Sequence, residues 1–220
     1  MRLTSKKDGI RTHSRDTDLV DSKRKEIVDQ ATKVFVKKGY HQTNMRELAE
    51  ALNMSVGNIY NYIGSKQDIL YLIINAAVTR PEGWVESIST SLKTNSATRV
   101  LTEFIRIHYT AIDYAHVTTL FTYQETRNLD RKARQVIINA ASGDVETCAI
   151  ILQKGVENGE FQINNVLLMA HNIIVLGHMW AIRWWYLSKV CSLDEYIEEQ
   201  TALILSRITI KKTRTRSPAQ

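Results

Sequence analysis

Three helix starts crowd into residues 44–65 of this 220-residue chain. Asn44 with Glu47 three positions on, Ser55, and Ser65 with Asp68 each set a short polar side chain ahead of an apolar run. At that spacing the side chain accepts from the unpaired N–H groups of the first turn, and an acidic residue three positions on reaches back. The helices opened this way are short. One runs from Asn44 to about Leu52 and the next over Val56–Tyr62, with a turn at Asn53, a residue type that tolerates the left-handed conformation. Helices of about eight residues do not hold themselves together in water, so this pair demands a foundation. The preceding segment supplies one. Ile27, Ala31, Val34 and Phe35 share one helical face, and Lys37, Lys38 and Gly39 provide the charges and glycine of a helix C-terminus. The pattern predicts a first helix over 23–38 and a fourth through Ile69, Leu72, Ile73 and Ala76, which Arg80-Pro81 ends or kinks.

A three-helix unit whose second short helix is polar has the arrangement of a helix-turn-helix reader, which inserts that helix into the major groove of DNA. Leu48, Ala49, Leu52 and Ile59 fill the space against Val34 and Phe35. Ser55, Asn58, Asn61 and Tyr62 are left outside to meet base edges or phosphates, with Arg46 and Lys66 at the margins to neutralise phosphates. A small helical bundle with one polar face satisfies the same pattern. Charge is unevenly divided, which fits a solvated charged surface as well as the reader: residues 1–70 carry thirteen Lys/Arg against nine Asp/Glu, residues 71–208 twelve against fourteen, and residues 209–220 four against none. A basic third joined to a slightly acidic body suggests that one part meets a polyanion and the other has a different task.

Beyond Pro81 helical stretches alternate with short polar breaks at about 82–92, 97–114, 117–125, 130–158, 165–188 and 193–208, and no strand is expected. Nine Gly and two Pro leave few breakers. The fold class is therefore all-α, with about nine helices. The most apolar segment, Val166–Leu187, is interrupted by His171, Asn172, His178 and Arg183, so it reads as a helix buried on several sides and not as a membrane span. Residues 1–21 read as a disordered polar arm without the apolar region of a secretory signal, and its Lys6, Lys7, Arg11 and Arg15 are available to phosphates or a minor groove. Residues 209–220 read as a disordered basic tail. Cys148 and Cys191 form no metal or disulfide framework, and His171 and His178 lack a ligand partner at metal-binding spacing. The expectation is a cytoplasmic protein without cofactor, metal or membrane association. It has a DNA-binding domain over 22–68 and a helical domain over 69–208. No GxSxG, P-loop, HExxH or dinucleotide fingerprint is present, so no catalytic residues are proposed and an enzyme is not expected.

The run GYHQTNMRELAEALNMSVGNIYNYIGSKQDIL, Gly39–Leu70, closely resembles the DNA-binding domain of the TetR family of bacterial transcriptional regulators. The resemblance covers about residues 23–75. It rests on Gly39-Tyr40, Leu48-Ala49, Ser55, Gly57, Tyr60-x-Tyr62 and Ser65-Lys66 in the family's order. It implies that Asn44 and Arg46 meet phosphates, that Ser55, Val56, Asn58 and Asn61 face bases, and that Tyr60, Tyr62 and Lys66 grip the DNA backbone. Asn53 and Ile63 depart from the Gly and Phe usual there.

In the body, residues 120–137, 176–188 and 192–200 resemble the C-terminal domain of TetR-type regulators of fatty-acid, aromatic-acid or sterol breakdown. The resemblance rests on Glu125-x-Arg127 and the Arg-Trp-Trp-Tyr cluster at 183–186. It implies a repressor that binds a palindromic operator of double-stranded DNA as a homodimer, through its last two helices, and is released by a small effector, an acyl-CoA thioester. Phe121, Ile173, Trp180 and Trp184 are suited to an acyl tail; Arg127, Arg131, Lys132, Arg134 and Arg183 are candidates for the polar end. The two tryptophans equally fit a packed core stripe, the basic residues a solvated face, and the chain as a whole a regulator of efflux or stress genes that answers to an apolar drug-like ligand.

Overall fold

The computed structural model describes residues 5–7, 10–12 and 16–210. The helices are α1 (Thr17–Lys38), α2 (Met45–Ala51), α3 (Val56–Ile59), α4 (Lys66–Val78), α5 (Trp84–Thr94), α6 (Ala97–Tyr114), α7 (His116–Glu125), α8 (Arg131–Glu157), α9 (Val166–Ile182), α10 (Trp184–Leu187) and α11 (Leu193–Ile208). A 3-10 turn, Thr126–Asn128, follows α7. Two three-residue strands, β1 (Ser5–Lys7) and β2 (Ile10–Thr12), pair antiparallel ahead of α1. The chain divides into a first unit, Met1–Thr79 with Val117–Ala141, and a second, Arg80–His116 with Ser142–Gln220.

In the first unit α1 packs on α2 and α4. Its core joins Ile27, Ala31 and Phe35 to Leu48, Ala49, Ile59, Ile63, Ile69 and Leu70. Phe35 is the keystone, edge-on to Tyr40 at 5.2 Å and stacked with Phe121 at 6.3 Å. Asn53 has φ 51°, the left-handed turn expected of it.

Three expectations change here. First, the N-terminal arm is not structureless up to residue 21: α1 starts at Thr17, where Asp16 accepts from the Leu19 N–H at 3.0 Å, and Ile10 and Thr12 are buried. An Asp cap and paired strand backbone carry no apolar periodicity, so a search for such a pattern passes over them. Second, α3 stops at Ile59, although turn bonds from the N–H groups of Asn61, Tyr62 and Ile63 carry the coil onward. Third, the first unit extends past residue 68 to Thr79 and takes in Val117–Ala141, because Phe121, Leu129 and Ile137 complete its core. The side chains of Lys6, Lys7, Arg11 and Arg15 and the tail residues 211–220 lie outside the described residues.

The second unit is centred on α6, which packs on α9, α11 and α5. Gly177 lets α9 approach α6, since a Cβ there would stand 2.7 Å from the Tyr109 ring. The Tyr109 hydroxyl donates to the Ile173 carbonyl at 2.9 Å. The Glu160 carboxylate accepts from the N–H groups of Ala97 and Thr98 at 2.9 and 3.0 Å, completing the N-terminus of α6. The apolar stretch expected over 165–188 is broken at Arg183 into α9 and α10. Among the described residues only α8 is long and apolar enough, by length and composition, to cross a membrane. That helix buries Asp144, Thr147, Cys148, Ile151 and Leu152, the pattern of a core helix.

Candidate functional site

The helix-turn-helix is built by local hydrogen bonds. Asn44 Oδ1 accepts from the N–H groups of Arg46 and Glu47 at 2.9 and 3.1 Å, and the Glu47 carboxylate returns to the Asn44 N–H at 3.0 Å. Lys38 pairs with the same carboxylate, which its hydrogen bonds hold below the usual range. Ser55 Oγ accepts from the Asn58 N–H at 3.1 Å. The acceptors of Asn44 and Ser55 are therefore engaged as caps; the Asn44 amide protons and the Ser55 hydroxyl proton are their chemistry toward a polyanion. Asn44, Arg46, Ser55, Asn58 and Tyr60 are exposed, while Val56, Asn61 and Tyr62 are half-buried. Asn61 Nδ2 donates to Asn58 Oδ1 at 3.4 Å, so two side chains expected to face bases already orient each other.

Lys66 has a different place from the one its motif implies. Its ammonium donates to the carbonyls of Tyr40 and Thr43 at 2.6 and 2.7 Å and lies 4.2 Å from the centre of the Tyr40 ring. Desolvation lowers its pKa. It clamps the start of α4 to the turn between α1 and α2. Arg24 was not singled out from sequence, yet it is buried in α1, with Nε donating to the Tyr62 carbonyl at 3.0 Å and Nη2 to the Ile10 carbonyl at 3.3 Å. Thr12 Oγ1 donates to the Asn61 carbonyl at 2.9 Å. The end of α3 is thus pinned by α1 and by the N-terminal strands. A lone Arg in a charged helical stretch gives no sequence sign of that.

The nine residues expected to bind an effector are divided between the two units. Phe121 belongs to the first unit's core, against Phe35. Arg127 is an exposed residue of the 3-10 turn in that same unit. Arg131 and Lys132 are exposed, and Arg134 donates to the Leu129 carbonyl at 3.0 Å. In the second unit Ile173 and Trp180 are core, and Trp180 Nε1 donates to Asp113 Oδ1 at 2.7 Å. Trp184 is exposed and stacks on His116 at 4.6 Å, and Arg183 lies over the Trp185 and Tyr186 rings. The i, i+4 spacing of the two tryptophans misleads because α9 ends between them.

What the second unit does bring together is a polar cluster that sequence reasoning missed. Arg80 Nε donates to Asp144 Oδ1 at 2.6 Å, and Arg80 Nη2 reaches both Asp144 Oδ2 and, at 3.3 Å, His108 Nδ1. The His108 side chain is 2% exposed, with its ring 5.8 Å from that of His178. Burial drives its pKa down to about 4 despite the Asp144 carboxylate, and burial likewise lowers that of His178. Cys148, one turn beyond Asp144, has its thiol pKa pushed up by burial. A groove of about 1040 Å³ opens along α5 and α8, lined by Leu92, Lys93, Ala149, Ile150, Lys154 and Leu167 among others.

Residues 27–71 match the model of the bacterial regulatory proteins of the tetR family, and residues 94–208 match the tetracyclin repressor-like C-terminal domain. The chain is 28% identical over 214 residues to the HTH-type transcriptional regulator HbdR of Aromatoleum sp. strain CIB, covering 96% of this chain and 91% of that one. Among solved structures, PfmR, a TetR family transcriptional regulator from Thermus thermophilus, superposes with a TM-score of 0.70 at 26% identity, over 82% of this chain and 97% of that one. FadR of Bacillus subtilis, solved in complex with stearoyl-CoA, shares the fold with a TM-score of 0.67 at 23% identity, over 83% and 97%. The chain belongs to the TetR family, whose members are transcriptional regulators and not enzymes.

Proposed function

We propose that the chain represses transcription by binding a palindromic operator as a homodimer and that an acyl-CoA thioester releases it. The observation that carries the DNA half is the contrast within the helix-turn-helix. Its inward groups, Arg24 and Lys66, are committed to backbone carbonyls, while Arg46, Asn58 and Tyr60 stand exposed on one short, capped unit. Pinned backbone with outward polar side chains is what reading base edges requires. Homodimerisation is supported by the large apolar side chains that α9 and α11 present outward, Leu167, Leu168 and Leu203, each more than half exposed. Two readers about one helical turn apart match a palindrome.

The effector class is supported by the relatedness of the body to a regulator solved with stearoyl-CoA. Arg183 and Trp184 stand at the surface, where the charged nucleotide end remains in water. Release works by linkage: an effector that prefers the conformation unable to span both half-sites weakens DNA binding by its differential affinity, about 1–3 kcal/mol.

The test is fluorescence anisotropy on a duplex drawn from the DNA upstream of the protein's own coding sequence, with sedimentation of the free protein. A dimer that binds this duplex well above random DNA, and releases it when stearoyl-CoA or butyryl-CoA is added, is expected. A monomer, or equal affinity for random DNA, contradicts the reading.

A further inference from the structure

The turn that ends α3 is fastened to a hairpin that precedes α1. Ile10–Thr12 pairs antiparallel with Ser5–Lys7 in the register Ser5↔Thr12, Lys6↔Arg11 and Lys7↔Ile10. Asp8-Gly9 separates the two in sequence, a dipeptide favoured in two-residue hairpin loops. Two side chains bind the hairpin to the end of α3. Thr12 Oγ1 donates to the Asn61 carbonyl at 2.9 Å, and Arg24 joins the Ile10 and Tyr62 carbonyls through Nη2 and Nε. Ile10 and Thr12 are themselves buried, at 4% and 2% exposure. β2 is therefore built into the first unit at the point where the reading helix stops.

Register separates the cations of this arm. Successive strand residues belong to opposite faces, and residues directly paired across an antiparallel ladder share one. Ile10 and Thr12 define the buried face, to which Lys7 belongs by its pairing with Ile10. Arg11 lies between them in sequence and belongs to the other face, with Lys6 as its partner. Like charges directly opposite each other weaken a strand pair. An anion beside them converts that cost into attraction, and the helix to which the hairpin is bound is the one read above as meeting a polyanion.

We propose that the hairpin is a second DNA-contacting element, in which Lys6 and Arg11 neutralise phosphates beside the groove that α3 enters. Arg24 and Thr12 are positioning residues that set the hairpin against Asn61 and Tyr62. Both cations offer donors and no acceptor, so the pair neutralises backbone and leaves the reading of sequence to α3. The hairpin lies ahead of residues 27–71, the span that matches the family model. Its role rests on the DNA-binding half of the proposed function.

The experiment measures the affinity of full-length protein for the upstream duplex and for a random duplex by fluorescence anisotropy, from about 50 to 200 mM salt. Each phosphate contact adds about one to the slope of log affinity against log salt. Lys6→Gln and Arg11→Gln each lower that slope by about one on both duplexes and weaken binding several-fold, with the preference between duplexes unchanged. Lys6→Arg and Arg11→Lys, which keep the charge, keep the slope. Lys7→Gln, which removes the same charge from the buried-face register, leaves the slope as in wild type. Should Arg11→Gln fail to fold, judged by its circular dichroism, Lys6→Gln decides alone. An equal drop for Lys7→Gln, no drop for Lys6→Gln and Arg11→Gln, or a loss confined to the upstream duplex overturns the hairpin's role while wild-type binding upholds the DNA reading. Wild type that binds neither duplex overturns both.

Discussion

The cations that each unit draws inward are held differently. In the first, Arg24 and Lys66 reach backbone carbonyls and so hold chain segments in place. In the second, Arg80, Asp144 and His108 bind one another, and a donor is left over. Side chains that tie down backbone make a rigid frame suited to presenting a fixed row of residues to DNA. A side-chain network with unmet capacity suits a region whose partner is another molecule, since buried polar groups are stable only when fully paired.

Substitutions can break or sharpen that contrast. The largest effect is expected from Phe35→Ala, which empties the space between Tyr40 and Phe121 in the first unit and should lower unfolding free energy by about 3–5 kcal/mol in urea titrations. Next is the acid response of the second unit. The folded-state pKa of His108 is depressed to about 4, so between the unfolded value of 6.5 and about 4 the unfolded chain takes up the proton first. Wild type should therefore lose on the order of 2–3 kcal/mol across that window relative to His108→Phe, with full stability retained above it. Parallel pH profiles for the two proteins would remove His108 from the buried neutral state.

Asp144→Ala strands the Arg80 guanidinium. With that side chain 28% exposed, the cost should be about 2–3 kcal/mol, somewhat below that of a fully buried pair, and readable as a shifted urea midpoint. Lys66→Ala, in the first unit, removes two charge-assisted bonds to carbonyls and should cost about 1–2 kcal/mol. Lost DNA affinity at unchanged stability would instead assign Lys66 to phosphate. Asn44→Ala, which removes only a cap, should cost about 1 kcal/mol by the same titration.

The contrast also explains what could be read without a structure. The caps at Asn44, Ser55 and Ser65, and the left-handed Asn53, act within three or four residues, so their spacing announces them. Long amphipathic segments such as Ala97–Tyr114 and Leu193–Ile208 were legible for the same reason. Arg80, His108 and Asp144 are brought together from three separate segments, and no local pattern links them. Phe121 misled because an aromatic in a body segment carries no mark of which core it completes. Arg24 was hidden because its partners, Ile10 and Tyr62, lie outside its own helix, one of them in strands that have no hydrophobic period.

The most direct measurement of the whole account is a DNA-release titration. Full-length protein is bound to fluorescent duplex from upstream of its own coding sequence at fixed salt, and stearoyl-CoA or butyryl-CoA is added while calorimetry follows acyl-CoA binding. The expected result is a rise in the apparent Kd for DNA of about fivefold or more, saturating with effector occupancy. Saturating occupancy with DNA affinity unchanged would contradict it.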